Sequence, residues 1–191
     1  MNIDVYDFDK TIYNGDSTID FYLYCIKKNL LLLRYFPIQL LYYIKYKLKL
    51  VNKEKFKEKF FIFLNGINNI DDYIIEFWKK NKNKVRYEII KQNENKKYII
   101  SASPEFLLQS MVIQMNNFEL IATKVNKKSG RFESKNCYGE EKVKRLKKHI
   151  TNEFKIENFY SDSISDKYLA EISQNSYIVK NGGKIEKWNQ K

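Results

Sequence analysis

The stretch VYDFDKTIYNGD, residues 5–16, decides how the rest of the chain is interpreted. An apolar run, Ile3 to Phe8, predicts a strand that ends on two aspartates, Asp7 and Asp9, followed by Thr11. Because side chains alternate along a strand, Asp7 and Asp9 point to the same side. Two carboxylates this close repel each other unless a cation lies between them. The stretch therefore predicts a charged site at the end of the first strand.

Beyond residue 88 the sequence alternates between strand and helix patterns. Strands are predicted at 97–101, 118–125, 158–162 and 176–180, and helices begin near Ser103, Gly139 and Asp166. We expect Ser103 to be a helix N-cap. Such alternation indicates a parallel sheet with helices on both faces. The predicted fold is α/β, with a Rossmann-like, doubly wound parallel sheet.

Residues 15–87 show helical periodicity throughout, with helix starts at Asp16, Pro37, Asn52 and Ile70. This stretch lies between the first and second strands of the predicted sheet. We therefore expect residues 1–14 and 88–191 to form a catalytic core and residues 15–87 to form an inserted, all-helical cap.

Composition limits the classes of function. The 191 residues carry a net charge of +12, two cysteines and one histidine. The lysines are spread along the chain together with many Asn, Ile and Tyr, as in AT-rich genomes, so we predict no nucleic-acid partner, although the charge favours anionic substrates. Cys25 and Cys137 form no disulfide framework or metal spacing, and the acidic N-terminus does not resemble a signal peptide. Both features favour a cytoplasmic location.

Several chemically competent side chains follow the predicted strands. Ser101 ends the second strand and Asp162 a later one, with Asp166 shortly after it, while Lys142 lies in the first turn of the helix that begins near Gly139. In doubly wound sheets, ligands bind beyond the carboxyl ends of the strands. Four aspartates and one lysine at such an edge call for a further cation, and hard oxygen ligands select Mg²⁺. A phosphate group could then bind there, also held by the N-terminus of the helix near Ser103.

Four segments resemble, in order, the motifs of the haloacid dehalogenase (HAD) superfamily of phosphohydrolases: DFDKT (7–11), YIISAS (98–103), GEEK (139–142) and YSDSISD (160–166). The last three look most like the phosphoserine-phosphatase-like branch, in which a helical cap is inserted between the first two motifs. The resemblance covers the core, and the cap carries no recognised motif.

The resemblance implies a role for each matching residue. Asp7 is the nucleophile that forms an aspartyl-phosphate, and Asp9 is the general acid and then the base. Mg²⁺ is bound by Asp7, by the backbone carbonyl of Asp9, by Asp162 and, in or near the same shell, by Asp166. The phosphoryl group is held by Ser101, the Ala102 amide and Lys142, and Thr11 supports the turn after the first strand.

The predicted function is Mg²⁺-dependent hydrolysis of a phosphate monoester of a small metabolite. Phosphoserine itself is doubtful as the substrate, because the cap offers only Arg34 before Arg86. A non-catalytic phosphate-binding protein and a phosphotransferase are alternatives, and Asp9 argues against the first of these.

A further alternative is a membrane-surface phosphatase that acts on a lipid-like phosphate. The cap contains NLLLLRYFPIQLLYYI (29–44), which is apolar but too interrupted to span a membrane, and a basic, aromatic run follows it. We interpret these residues as a packed helical lid, on the rule that apolar helical stripes usually belong to a core. A membrane surface is thus kept as a partner but is not favoured.

Overall fold

A computed structural model describes residues 1–188. A single sheet forms its centre. Its strands are β1 (Asn2–Tyr6), β2 (Lys96–Pro104), β3 (Phe118–Thr123), β4 (Lys155–Ser161), β5 (Ser173–Val179) and β6 (Ile185–Lys187). They lie in the order β3-β2-β1-β4-β5-β6. All neighbouring pairs are parallel except β5 and β6, which form a hairpin. The chain moves outward from β1 to one edge and then to the other, so the predicted doubly wound α/β fold is confirmed.

The helices are α1 (Ser17–Lys28), α2 (Phe36–Lys47), α3 (Lys53–Phe60), α4 (Ile70–Asn81), α5 (Glu105–Val112), α6 (Glu140–His149) and α7 (Lys167–Glu171). Short 3-10 segments lie at Leu30–Tyr35, Phe61–Gly66, Lys82–Lys84, Tyr87–Ile89, Ile164–Asp166 and Asn181–Gly183. Asp16 caps α1 and Asn52 caps α3 through their side chains, as their sequence positions indicate.

One predicted helix cap, Ser103, is wrong. Strand β2 continues through Ser103 to Pro104, and α5 begins at Glu105 without a side-chain cap. The hydroxyl of Ser103 is instead hydrogen-bonded to the carboxylate of Asp9. A partner 94 residues away in sequence therefore outweighs the local preference of serine for a cap position.

Two apolar clusters cover the two faces of the sheet. On one face, Ile3 and Val5 of β1 are buried in a cluster with Leu146 of α6 and Leu169 of α7. The other cluster contains Tyr6, helix α5 and buried side chains from α1 and α4. Helices thus cover both faces, and the inserted helices share one apolar cluster with the sheet.

The inserted helices leave and rejoin the sheet at one place. Asn14 N donates to Lys84 O (2.8 Å), and Arg86 N donates to Ile12 O (2.7 Å), so residues 12–14 and 84–86 run side by side. The boundaries predicted for the cap, 15 and 87, fall next to this paired segment. The division into core and cap remains a prediction.

Helix α2 departs from the packed lid expected of the cap. Gln39 is its one buried residue, while most of its apolar side chains are exposed to water. The expectation that this stretch packs as core is therefore wrong for α2. Periodicity showed that the segment is an apolar helix, but it could not show whether another element covers it.

Candidate active site

The site lies where the strand order reverses. The sheet places the end of β1 between β2 and β4, so the chain leaving each of these strands reaches the same crevice. A cavity of about 560 Å³ opens there. Its wall contains seven of the eight predicted site residues: Asp7, Asp9, Ser101, Ala102, Lys142, Asp162 and Asp166. These motifs, distant in sequence, therefore meet around one space.

The eighth residue, Thr11, lies elsewhere. Its side chain is fully buried in the turn after β1, and it is not part of the cavity wall. The carbonyl of Thr11 accepts a hydrogen bond from Arg86, which also donates to Lys10 O (3.1 Å) and to Asn14 Oδ1. Thr11 is thus placed to shape the turn, and its side chain does not line the space in which a substrate would bind.

A buried ion-pair network occupies the floor of the cavity. The ammonium Nζ of Lys142 lies 2.6 Å from Asp7 Oδ1 and 2.7 Å from Asp166 Oδ2. Ser161 at the end of β4 also donates its hydroxyl to Asp166 Oδ2, at 2.7 Å. Lys142 reaches this position from the first turn of α6, the helix that follows Gly139.

Electrostatics in this network follow from burial. Burial raises the pKa of Asp7 well above its usual value; Lys142 acts against this and the charge of Asp166 adds to it. For Lys142, burial disfavours the charged form, but the carboxylates of Asp7 and Asp166 outweigh it and raise its pKa. Asp162 also has a raised pKa because it is partly buried. Lys10, which also lines the cavity, acts against the raised pKa of Asp162, but the floor still carries more carboxyl groups than ammonium groups.

Asp9 is held beside this network by groups from two other elements. Its Oδ1 accepts the backbone N–H of Ser17 at 2.6 Å, and its Oδ2 accepts the hydroxyl of Ser103. Burial, and next the charge of Asp16, raises the pKa of Asp9 to about 6, while the bonds from Ser103 and Ser17 act in the opposite direction. A carboxyl with this pKa can both give and take a proton near neutral pH.

The sequence did not identify Ser103 or Ser17 as partners of Asp9, and it also missed Lys57. Lys57, on α3, donates to Ala102 O (2.7 Å) and to Asn136 Oδ1 (3.1 Å) and lines the cavity. Burial lowers the pKa of Lys57 to about 8. No local signal distinguishes Lys57 from the many exposed lysines around it, because its environment is created by the approach of α3 to β2.

The opposite wall of the cavity comes from the inserted helices and is largely apolar. It includes Tyr22 of α1, Phe36, Leu40 and Tyr43 of α2, and Phe56 and Phe60 of α3. Lys53, at the start of α3, lies over the ring of Tyr138 at 3.5 Å from its centroid. The cavity thus has a charged floor and an apolar, aromatic upper wall.

A divalent cation is compatible with the charged floor. Within residues 1–188, no three His, Cys, Asp or Glu side chains are grouped so that they could hold a metal ion. Mg²⁺, however, usually takes one or two protein carboxylates and completes its shell with water and substrate phosphate. Asp166 Oδ1 is buried and has no hydrogen-bond partner within residues 1–188. One carboxylate oxygen near Asp7 is therefore free to bind a cation. The atoms available as metal ligands are oxygens, which Mg²⁺ prefers.

Solved structures with the same fold include two hydrolases. A protein of unknown function from Bordetella pertussis Tohama I shares 17% identity over 92% of this chain and 88% of its own, with a TM-score of 0.77. A substrate-bound phosphoserine phosphatase shares 12% identity over 92% and 83%, with a TM-score of 0.52. A HAD family hydrolase from Salmonella enterica shares 9% over 90% and 60%, with a TM-score of 0.51. At these identities the likeness concerns the fold.

Comparison by sequence identifies the family. No curated protein matches the chain. The profile of the haloacid dehalogenase-like hydrolases matches residues 5–171, which is most of the chain and includes all four motifs. The predicted resemblance is therefore confirmed. The chain belongs to the haloacid dehalogenase-like hydrolase family, and it shares its fold with a phosphoserine phosphatase.

Proposed function

We propose that this hydrolase cleaves phosphate monoesters through an aspartyl-phosphate on Asp7, in a Mg²⁺-dependent reaction. One observation carries the proposal: Asp7 lies on the floor of a substrate-sized cavity, bonded to Lys142, with the carboxyl of Asp9 lining the same space. A nucleophile, a cation for the phosphoryl charge and a proton carrier are thus present together.

In the first half-reaction, a carboxylate oxygen of Asp7 attacks phosphorus and the bond from phosphorus to the alcohol oxygen breaks. Asp9 gives its proton to that oxygen, so the alcohol leaves neutral. Ser101, the backbone N–H of Ala102 and Lys142 bind the phosphoryl oxygens. Because phosphoryl transfer depends mostly on positioning and charge neutralisation, these groups are sufficient from the protein side.

In the second half-reaction, Asp9 is a carboxylate and accepts a proton from water as the water oxygen attacks phosphorus. The bond between phosphorus and Asp7 breaks, inorganic phosphate forms and Asp7 is a carboxylate again. Ser17 and Ser103 hold Asp9 in place for both proton transfers. Asp9 lies near enough to Asp7 for its charge to raise the pKa of Asp7, as the two proton transfers require.

Asp7, the Asp9 carbonyl, Asp162 and Asp166 are the residues that would hold Mg²⁺. When bound, the ion supplies positive charge to the phosphoryl oxygens and offsets the repulsion among the carboxylates. The free oxygen of Asp166 and the excess of carboxyl groups on the cavity floor support this assignment.

The leaving alcohol is bound by the wall that the inserted helices supply. A small phosphorylated metabolite is the general expectation for the substrate. A specific observation favours a second candidate, a lipid-like phosphate, because the upper wall is aromatic and continues into exposed apolar residues of α2. The non-catalytic alternative gives no role to the pair of hydrogen bonds that fix Asp9.

The proposal is tested by measuring phosphate release from a panel of phosphate monoesters, with Mg²⁺ and with a chelator. We expect release in Mg²⁺ alone, and none from the variant Asp7→Asn. Phosphate binding without turnover across the panel would instead support a non-catalytic binding protein.

A further inference from the structure

The inserted helices expose many apolar side chains in one stretch of sequence, and we call this group the apolar face. It consists of the apolar side chains of residues 30–50 that are at least 41% exposed: Leu30, Leu31, Leu33, Phe36, Ile38, Leu40, Leu41, Tyr43, Ile44, Leu48 and Leu50. Exposed single apolar residues are ordinary, but a large contiguous group marks a surface that binds something. The site chemistry described above does not account for most of these residues.

The segment that carries the apolar face has charges of one sign. Residues 21–53 contain seven Lys or Arg and no Asp or Glu. Lys45 and Lys47 lie in the last turn of α2 beside the rings of Tyr42 and Tyr43. A surface that combines exposed leucines, tyrosines and lysines is complementary to an anionic lipid bilayer, which offers both apolar depth and negative headgroups.

Two other occupants fit less well. A second copy of this chain would bring the same positive charges together across the interface, and that repulsion opposes pairing. Insertion across the bilayer is also disfavoured, since α2 has 12 residues and no helix within residues 1–188 is long and apolar enough to cross a membrane. A helix of this kind lies in the plane of the interface.

The apolar face is continuous with the active-site cavity. Phe36, Leu40 and Tyr43 belong to the face and also line the cavity, whose floor holds Asp7 and Lys142. An apolar chain attached to a phosphate on the floor can therefore follow one apolar wall out to the exposed surface. The lysines Lys53 and Lys57 line the same cavity and can meet further negative charge near the phosphate.

We propose that the apolar face docks on an anionic membrane surface, and that the cavity receives from it a phosphate monoester whose alcohol carries a long apolar chain. The docking proposal rests on the exposed apolar residues and on the basic residues of the same segment. The choice of substrate rests on the proposed hydrolysis. In this arrangement the phosphate reaches Asp7 while the chain stays against α2.

Docking is tested by co-sedimentation of the whole protein with phosphatidylcholine vesicles, with and without phosphatidylserine, at physiological salt. We expect binding to the anionic vesicles. In the double variant Ile38→Asp/Leu41→Asp, whose positions do not line the cavity, the partition coefficient should fall by at least about tenfold, because each buried aliphatic side chain contributes about that much. The control Ile75→Asp/Ile113→Asp changes two isoleucines outside the face that are more exposed than Ile38 and Leu41, and it should bind as the wild type does.

Absence of binding to anionic vesicles, or equal losses in the two double variants, would overturn docking. A self-associating wild type that becomes monomeric in Ile38→Asp/Leu41→Asp, with no vesicle binding, would assign the face to a second copy and would also overturn it.

Substrate choice is tested with ethyl phosphate, dodecyl phosphate and phosphatidic acid in vesicles. We expect kcat/KM to be higher for dodecyl than for ethyl phosphate. Ile38→Asp/Leu41→Asp should keep its rate on ethyl phosphate, which also reports correct folding, and lose most of its rate on vesicles. Equal kcat/KM for the two soluble esters would overturn the apolar substrate class. Failure to hydrolyse any ester would count against the proposed function and leave the docking result to stand by itself.

Discussion

The ammonium group of Lys142 is buried between two carboxylates and donates to both, at 2.6 and 2.7 Å. Removing such charges from water costs several kcal/mol for each ion, and the attraction between them seldom exceeds that cost by much. A buried triad of this kind contributes little to stability, whereas ionisable groups with shifted pKa values in a cleft are typical of functional sites. The arrangement is better explained by the need to bind a phosphoryl group.

Replacing Lys142 by Met should expose the repulsion between Asp7 and Asp166. We expect the free energy of unfolding in EDTA at about pH 7 to fall by about 3–5 kcal/mol, as for other broken buried pairs. Lys144→Met is the matched control, because Lys144 lies in the same helix in an exposed pair with Glu140 and should cost less than about 1 kcal/mol. Urea unfolding of both variants measures the difference.

The same variant has a predicted pH dependence. A carboxyl whose folded pKa is raised, as burial raises that of Asp7, contributes stability that is complete below its unfolded pKa and is lost as pH rises through the folded value. Without Lys142 the pKa of Asp7 rises further above its folded value of about 8, so the deficit of Lys142→Met should grow when unfolding is measured at about pH 9 instead of about pH 7. A deficit that grows toward low pH would contradict the assignment.

Asp9 should matter most where the leaving group is poor. In Asp9→Asn no proton is available for the alcohol, so kcat/KM for an alkyl phosphate should fall by about 100-fold or more. The kcat/KM for p-nitrophenyl phosphate should fall much less, because this constant covers only the steps up to departure of the leaving group and nitrophenolate leaves without a proton. Steady-state rates on both esters measure this, and equal losses would show that Asp9 is not the acid.

The pKa of Asp9 should appear in the dependence of kcat/KM on pH in the wild type. Burial raises this pKa to about 6, so the protonated fraction declines above that pH. For alkyl phosphates, kcat/KM should fall as pH rises past about 6, whereas p-nitrophenyl phosphate should lack this limb. A pH profile that is identical for the two esters would exclude Asp9 as the origin.

At the scale of elements, strands and helices were predictable where their pattern is local. Every predicted core strand exists, because alternation and apolar runs reflect burial in a parallel sheet. The role of Ser103 was not predictable, since its partner Asp9 comes from another element. Likewise the apolar pattern of α2 could not reveal its exposure, because burial depends on what packs against a helix.

Gly130 joins the loop after β3 to the inserted helices. It has φ +70, and a Cβ atom built there would lie 2.5 Å from the backbone oxygen of Phe61. Gly130→Ala should therefore lower the free energy of unfolding by about 2 kcal/mol or more, from strain and from the displaced backbone. Gly182→Ala is the control: its φ is +85 with nothing within 4 Å, so only the strain of about 1 kcal/mol applies. Thermal unfolding of both variants measures the loss of stability. Equal losses would show that Gly130 does not lie close to the backbone of Phe61.

At the scale of the whole molecule, topology creates the site. Asp7 and Asp166 are far apart in sequence, and the order β2-β1-β4 brings both to Lys142. The motifs predicted which residues meet, because ligand sites in this fold lie at strand ends. The cap wall was not predictable, since its packing on the core follows no sequence motif.

Metal removal tests the charge balance of that site. We expect EDTA to abolish turnover and Mg²⁺ to restore it, whereas Ca²⁺, which prefers more ligands and longer bonds, should not. Mg²⁺ should also raise the melting temperature of the wild type, through preferential binding to the folded state, and should do so less in Asp166→Asn. Full turnover in EDTA would show that the carboxylates need no metal.

The central claim is that Asp7 becomes phosphorylated during turnover. Its most direct test is acid quenching of the enzyme during hydrolysis, followed by mass spectrometry of the peptide that contains residues 5–16. The account predicts an acyl phosphate on Asp7 in the wild type, and in Asp7→Asn no such adduct and a rate lower by at least about a thousandfold. Undiminished turnover in Asp7→Asn, or a phosphoryl group found on another residue, would contradict it.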